Sequence, residues 1–437
     1  MCAGRVTTPV DGGATRKAIE AVWRIESARL IGALLRVVRD VALAEDLAQE
    51  ALVTALERWP ATGIPDNPGA WLMITAKHRA LDLLRQQKMQ QRKHEEIGRD
   101  ATSSPVPPAF AAAAETEAEV GDDLLRLMFI ACHPVLSADA RVALTLRLLG
   151  GLNVEEIARA FLVPEATVAQ RIVRAKRTLA EARVPFELPR GGELQPRLSS
   201  VLEVIYFIFN EGYVATSGTE WARPDLCQEA LRLGRILAER VATEAEAHAL
   251  VALMELHASR LPARTGPRGE PVLLLDQDRT RWDQLLLHRG LAALARAETL
   301  RRPLGPYALQ AAIAACHARA RVAAETDWPR IVALYDALVE LTCSPIVELN
   351  RAVAVSMAFG PTAGLALVDA LTAEPALKSY HLLPSVRGDF LMKLGRCIEA
   401  CEEFERAAAM TQNACERELL LARAAESRAS GSRPRSH

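Results

Sequence analysis

The chain has 437 residues, of which 50% are apolar, 24% charged and 5% aromatic. Fifty-three basic residues against fifty-four acidic ones leave a net charge of −1. That balance excludes a uniformly basic nucleic-acid coat and an acidic solvating chain, but not local basic faces. The length suffices for roughly two to four packed domains. No apolar run approaches the ~18 residues of a membrane span, and the first residues lack the apolar core of a secretory signal. The eight cysteines have no framework spacing and read as reduced thiols. The expectation is a soluble, cytoplasmic protein with no membrane association.

Apolar positions recur at helical spacing almost throughout, and strand signals are scarce, so the sequence predicts an all-α fold. Two stretches interrupt the pattern. Residues 86–121 pass from charged to the run TSSPVPP at 102–108, then through alanines to an acidic cluster. Residues 185–196 carry three prolines and a Gly-Gly pair. These divide the chain into a helical unit at 17–93, a flexible linker at 94–121, a second unit at 122–184, and a helical extension at 191–437.

In the first unit, Ala44, Leu47, Ala48, Ala51, Leu52, Ala55, Leu56 and Trp59 form one apolar helical stripe. The opposite face begins with Glu45, Asp46, Gln49 and Glu50, which suits either the helix dipole or a basic partner. A loop at 60–69 follows, containing Gly63, Asp66 and Asn67, and then a helix at 70–85 with its core face on Met73, Ala76, Ala80, Leu83 and Leu84. Its other face carries Trp71, Thr75, His78, Asp82 and Arg85, with Lys77, Arg79, Lys88, Arg92 and Lys93 nearby. Cations for phosphates beside a ring for stacking are what unpaired bases require. Trp71 packed under a neighbouring helix is the bland alternative.

The second unit contains a stronger signal. Asn153 with Glu156 three residues later predicts a capping box, and Val154, Ile157, Ala158 and Phe161 form an apolar face. After a turn at 162–164, Val168, Ile172, Ala175 and Leu179 point inward, whereas Thr167, Gln170, Arg171, Arg174 and Arg177 point outward. This is a helix-turn-helix whose second helix, where every charge from Arg171 to Arg177 is basic, suits base edges and phosphates.

The runs AEDLAQE at 44–50 and WLMITAKHRALDLLR at 71–85 resemble regions 2.2 to 2.4 of bacterial sigma factors, and GLNVEEIARAFLVPEATVAQRIVRAK at 151–176 resembles region 4. With no room for regions 1.1 or 3, the pattern is similar to the extracytoplasmic-function group. FNEGY at 209–213, DQDRTRW at 276–282 and LNRAVA at 349–354 resemble the long, TPR-like C-terminal extension of one subgroup. The resemblance implies a region 2 helical bundle, a region 4 helix-turn-helix domain and a regulatory extension. Asp46, Gln49 and Glu50 would then bind core RNA polymerase. Asp66, Asn67, Trp71, Lys77, His78 and Arg85 would bind minus-ten DNA, and Thr167, Gln170, Arg171, Arg174, Lys176 and Arg177 minus-thirty-five DNA. Two departures stand out: His78 replaces a common Asn, and Leu162 replaces a common Gly, which makes a left-handed turn costly.

Within the extension, Gly388, Ala400, Phe404 and Ala407 have the separations of a 34-residue helical repeat. A step back predicts Ala354 and Ala366 at the small positions, and a step forward predicts Ala422. Cys397 and Cys401 are one helical turn apart, with His381 and Cys415 as further candidates, but paired zinc spacing is missing, so no metal or cofactor is expected. Neither a phosphate loop nor a nucleophile elbow is present, and an enzyme is not expected. The expected function is promoter-specific transcription initiation with core polymerase, with a protein partner for the extension. The alternative is a helix-turn-helix regulator with a ligand- or protein-sensing helical domain, which leaves the runs at 44–50 and 71–85 unexplained.

Overall fold

The structure, a computed structural model, describes residues 12–96, 117–189, 191–214, 222–267, 270–300 and 303–431. Most of the linker expected at 94–121 lies outside them. The described residues form helices without a strand, apart from one isolated bridge between Thr265 and Pro271. The chain divides into two compact units, Met1–Val204 and Ile205–His437.

The first unit comprises α1 (Gly12–Val38), α2 (Val41–Thr62), α3 (Pro68–Glu96), α4 (Glu117–Ala131), α5 (Ala138–Leu148), α6 (Val154–Phe161), α7 (Glu165–Glu181) and the first half of α8 (Leu194–Tyr213). Helix α1 is the hub: Ile19, Leu30, Ile31, Leu34 and Leu35 are buried, and the helix packs on α2, α3 and α4. Gly32 lets α4 approach closely, since a Cβ there would meet the Asp123 Cβ at 3.2 Å. Asp123, itself buried, accepts a bond from Arg126 at 2.7 Å and pairs with Arg36 at 3.7 Å.

In α2 the stripe is buried at Ala44, Leu47, Ala48, Ala51, Ala55 and Trp59, but Leu56 is exposed at its edge. Asp40 caps the helix by accepting from the Leu43 N–H at 2.9 Å. The loop expected from 60 begins later. Proline in a last turn removes a single donor, so α2 continues through Pro60 to Thr62. Gly63, with φ of 83°, then ends it, its N–H reaching the Trp59 carbonyl at 2.9 Å. The next helix also starts earlier than 70, with Pro68 at its head and the Asn67 side chain accepting from the Ala70 N–H at 3.0 Å.

The segment at 185–196 does not mark the limit of the first unit. Arg197 donates to the Phe129 carbonyl at 2.9 Å, Ser200 donates to the Cys132 carbonyl, and Glu203 pairs with Arg141 at 2.9 Å. These bonds tie the first half of α8 to α4, α5 and the turn after α4, and the division falls inside the helix, after Val204.

The second unit contains the rest of α8, then α9 (Pro224–Arg240), α10 (Ala245–Ala258), α11 (Gln284–Thr299), α12 (Pro306–Arg319), α13 (Trp328–Thr342), α14 (Pro345–Phe359), α15 (Pro361–Leu371), α16 (Leu382–Lys393), α17 (Cys397–Met410) and α18 (Ala414–Gly431). Its apolar interior passes from neighbour to neighbour. Leu253 and Leu256 meet Leu294 and Ala311, Leu309 and Ile313 meet Ile331 and Val355, and Leu349 joins Phe390, Phe404 and Leu420. This is the packing logic of a helical repeat array.

The 34-residue register holds only in part. Ala400, Phe404, Ala407 and Ala354 are buried, and Gly388 lies against the Phe404 ring, where a Cβ would come within 2.9 Å. Ala366 and Ala422 are exposed. The close approach in α15 is made instead by Gly364, where a Cβ would stand 2.9 Å from the Ala352 carbonyl. In an alanine-rich helix the alanine spacing alone does not show which face turns inward.

Two histidines of this unit are held neutral. Burial and the Arg260 and Arg264 guanidiniums push His257 well below the usual imidazole value. Burial, Arg260 and Arg279 push His317 down to about 4. The unfolded chain therefore takes up these protons first as pH falls. Stability conferred by neutral His317 is complete above about pH 6.5 and is lost towards pH 4, by about 3 kcal/mol. Thermal melting as a function of pH should show a shallower decline across that window for His317→Gln than for the parent chain.

Candidate polymerase and promoter interfaces

The acidic turn of α2 splits between surface and interior. Asp46 and Glu50 are exposed, and Gln49 is half-buried. Glu50 is bridged by Arg79 of α3 at 3.1 Å, so the exposed carboxylates are held on a face that α3 braces. Glu45, one residue before Asp46, is only 2% exposed. It accepts from Gln49 at 2.7 Å and from Arg147 of α5 at 2.6 Å, and it pairs with Lys176 of α7.

On α3 the core face is carried by Leu72, Ala76 and Ala80; Met73, Leu83 and Leu84 are half-buried. Trp71 is half-buried, its ring edge-on to Trp59 with centroids 5.3 Å apart and planes at 67°. One edge of Trp71 thus packs on α2, and the remainder is open. His78 and Arg85 are exposed, with Arg85 3.4 Å from Asp82, and Lys77 is half-buried. The side chains of Lys88, Arg92 and Lys93 lie outside the described residues. Asp66 is exposed in the loop, whereas the Asn67 carbonyl oxygen is taken by the cap of α3.

The helix-turn-helix forms as its sequence predicts. Asn153 accepts from the Glu156 N–H at 2.8 Å, and the Glu156 carboxylate accepts from the Asn153 N–H at 2.9 Å. Val168, Ile172, Ala175 and Leu179 are buried. The turn keeps a left-handed residue even without glycine: Leu162 adopts φ 50°, ψ 42°. Its side chain is half exposed, so little burial offsets the strain. Leu162→Gly should therefore stabilise the first unit by about 1 kcal/mol, read as a higher melting midpoint.

The outer face of α7 is not uniformly open. Gln170 and Arg174 are exposed, and Arg174 has no ionic partner among the described residues. Thr167 is half-buried. Arg171 is bridged to Asp139 of α5 at 2.8 Å, and exposed Arg177 to Glu181 at 2.6 Å. Lys176, expected near phosphates, is turned to Glu45. Together with Arg24–Glu156 and Arg36–Asp123, this pairing joins the 17–93 and 122–184 segments within one compact unit. Sequence reasoning placed Glu45 on the outward face, whereas pairing with Arg147 and Lys176 lets it be buried, and it missed Arg147 and Asp139. The signal available was weak: a carboxylate beside the apolar stripe and two of the three charged residues of α5.

Known families match the blocks in the order and places that carry the site. Sigma-70 region 2 matches residues 24–89, and Sigma-70 region 4 matches residues 126–179. The probable ECF RNA polymerase sigma factor SigI of Mycobacterium tuberculosis is 29% identical over 170 residues, covering 38% of this chain and 56% of that protein. The chain belongs to the extracytoplasmic-function group of sigma-70-like factors. An uncharacterized protein of Rhizobium meliloti is 43% identical over 395 residues, 88% of this chain and 90% of the relative, so the likeness extends through the C-terminal part. Residues 197–298 of this sigma factor match a family of unknown function, DUF6596. No solved structure matches the chain. A sigma factor binds core RNA polymerase and promoter DNA and directs initiation; the two sigma-70 families matched are initiation factors rather than enzymes. No helix among the described residues is long and apolar enough to cross a membrane.

Proposed function

We infer that the acidic turn of α2 docks this sigma factor on core RNA polymerase in the cytoplasm, through Asp46, Gln49 and Glu50. The single supporting observation is that Asp46 and Glu50 are exposed on α2 while the open part of Trp71 stands on adjoining α3. Polymerase and the minus-ten strand would then meet one bundle. Asp66 offers base-edge contacts from the loop, Asn67 fixes the loop by capping α3, and Trp71, Lys77, His78 and Arg85 hold neighbouring bases and phosphates. On α7, Thr167, Gln170, Arg171 and Arg174 read the minus-thirty-five groove, with Lys176 and Arg177 nearer phosphates. Residues 17–93 and 122–184 serve as the two DNA-facing modules, and the extension regulates them through a protein partner. The polymerase performs the chemistry.

Reconstituted transcription tests this reading. The purified chain with core polymerase should yield promoter-specific RNA, and an ordinary helix-turn-helix regulator would not. Within that assay, Trp71→Ala should lower transcription from duplex promoters by about five- to a hundredfold, since one base–aromatic stack contributes about 1–3 kcal/mol. Loss on a pre-melted template should be smaller. Trp71→Phe, which keeps a ring against Trp59, should recover most of the activity.

A further inference from the structure

Two stretches of the extension that promoter recognition does not use, FNEGY at 209–213 and DQDRTRW at 276–282, come together around a group of arginines. Arg264 is buried, lies 3.7 Å over the centre of the Tyr213 ring and donates to the Tyr213 carbonyl at 2.7 Å. Arg260 donates to the Tyr213 hydroxyl and stands 5.9 Å from the centre of the Trp282 ring. Arg279 is 5.0 Å from that ring and donates to the carbonyls of His317 and Ala320 at 2.6 and 2.7 Å.

The charges of Arg260 and Arg279 are not met by ion pairs among the described residues. Elsewhere in this unit, arginines of the interior meet carboxylates: Arg223 with Glu211, Arg235 with Glu255, Arg351 with Asp336, Arg387 with Glu403, and Arg423 with Asp389. Arg260 and Arg279 have no carboxylate within bridging distance among the described residues. Burial above all, with the like charge of Arg260 adding to it, lowers Arg264, Arg279 and His317, while Glu325 acts on Arg279 in the opposite sense.

Buried polar atoms also lack partners. The Trp282 indole N–H and the Arg260 Nε have no hydrogen-bond partner, and neither has the His317 Nδ1. Trp282 is 3% exposed and His317 8% exposed. Buried polar atoms are nearly always satisfied, so several within one cationic cluster mark the place of an acceptor.

We propose that Arg260, Arg279 and Trp282, supported by His317 and Tyr213, form a binding site for a small ligand bearing an oxyanion, a phosphate or a carboxylate. Its oxygens would accept charge-assisted bonds from the two partly exposed guanidiniums and, after a small shift of the Arg260 side chain, from the indole N–H. The ring of Trp282 would flank the ligand. This assigns a ligand class to the segment matched by the family of unknown function, and it stands independently of the polymerase reading.

Titration calorimetry and thermal melting on the full chain test it, with sodium phosphate and sodium succinate as probes and sodium chloride fixing ionic strength. Saturable binding of at least one probe, with a rise in melting midpoint, is expected. The probe that binds tells a phosphate from a carboxylate site. Arg260→Met and Trp282→Phe should each weaken it about tenfold or more. Without the anion, Arg260→Met should melt no lower than the parent chain, because removing one like charge relieves repulsion. A purely structural arginine predicts a lower midpoint with or without anion. Trp282→Phe keeps the ring and provides the readout if Arg260→Met does not fold. Arg171→Ala/Arg174→Ala, on the DNA-facing helix, should bind the probe as tightly as the parent chain. No saturable binding of either probe to folded protein overturns the proposal, and so does binding lost only in the α7 variant.

Discussion

Asp46→Lys/Glu50→Lys should leave the sigma factor folded and unable to hold core polymerase. Both side chains are exposed, and surface substitutions of this kind usually change stability by under ~0.5 kcal/mol. Glu50→Lys also sets a second cation beside Arg79, a repulsion that solvent largely screens. At a charged interface, by contrast, two reversals replace attraction by repulsion, and an affinity loss of at least about a hundredfold is expected. Co-purification with core polymerase reads the loss, and circular dichroism verifies the fold. Undiminished co-purification of the folded double variant would show that core polymerase binds elsewhere.

Arg174→Ala should give the largest effect on promoter choice. Among the basic groups of α7, Arg174 is exposed without an ionic partner, whereas Arg171 must leave Asp139 and Lys176 must leave Glu45 before either can meet DNA. Losing a bidentate base contact costs about 1–3 kcal/mol and relaxes preference at one position. Transcription from a set of minus-thirty-five variants should therefore flatten at a single base pair for Arg174→Ala. Arg177→Ala should lower all promoters alike, as a phosphate contact does. If Arg174→Ala retains the full sequence preference, another element reads the groove.

What the sequence revealed is what depends on near neighbours along the chain. The α2 stripe, the Asn153–Glu156 capping box and the inward face of α7 are set by spacings of three and four residues, and all three are present. The exposure of the candidate residues Asp46, Glu50, His78, Gln170 and Arg174 follows from the same periodicity by exclusion. What remained hidden depends on residues far apart. The burial of Glu45 needs Arg147 and Lys176, each more than a hundred positions away. The arginine cluster of the extension needs 209–213, 276–282 and His317 to converge. Boundaries were blurred where one residue has two uses. Pro60 ends helices in general yet is tolerated in a last turn, and Asn67 served as a base-contact candidate although it caps α3.

The bond between Glu45 and Lys176 has a consequence for how promoters are found. Elements centred about 25 base pairs apart lie roughly 85 Å apart on B-form DNA, at ~3.4 Å per pair. With α7 tied through one carboxylate to α2, on which α3 packs, the proposed minus-ten and minus-thirty-five faces cannot address both at once. A molecule able to engage a whole promoter must have them apart, and its apparent affinity is the intrinsic one multiplied by the fraction in that state. If one molecule in about a hundred is open, binding is about a hundredfold weaker than the open form alone would show. The free factor would then spend little time at full promoters. If core polymerase docks beside Glu45, at Asp46 and Glu50, as proposed, that contact would raise the fraction, and the search for DNA would become conditional on the enzyme being present.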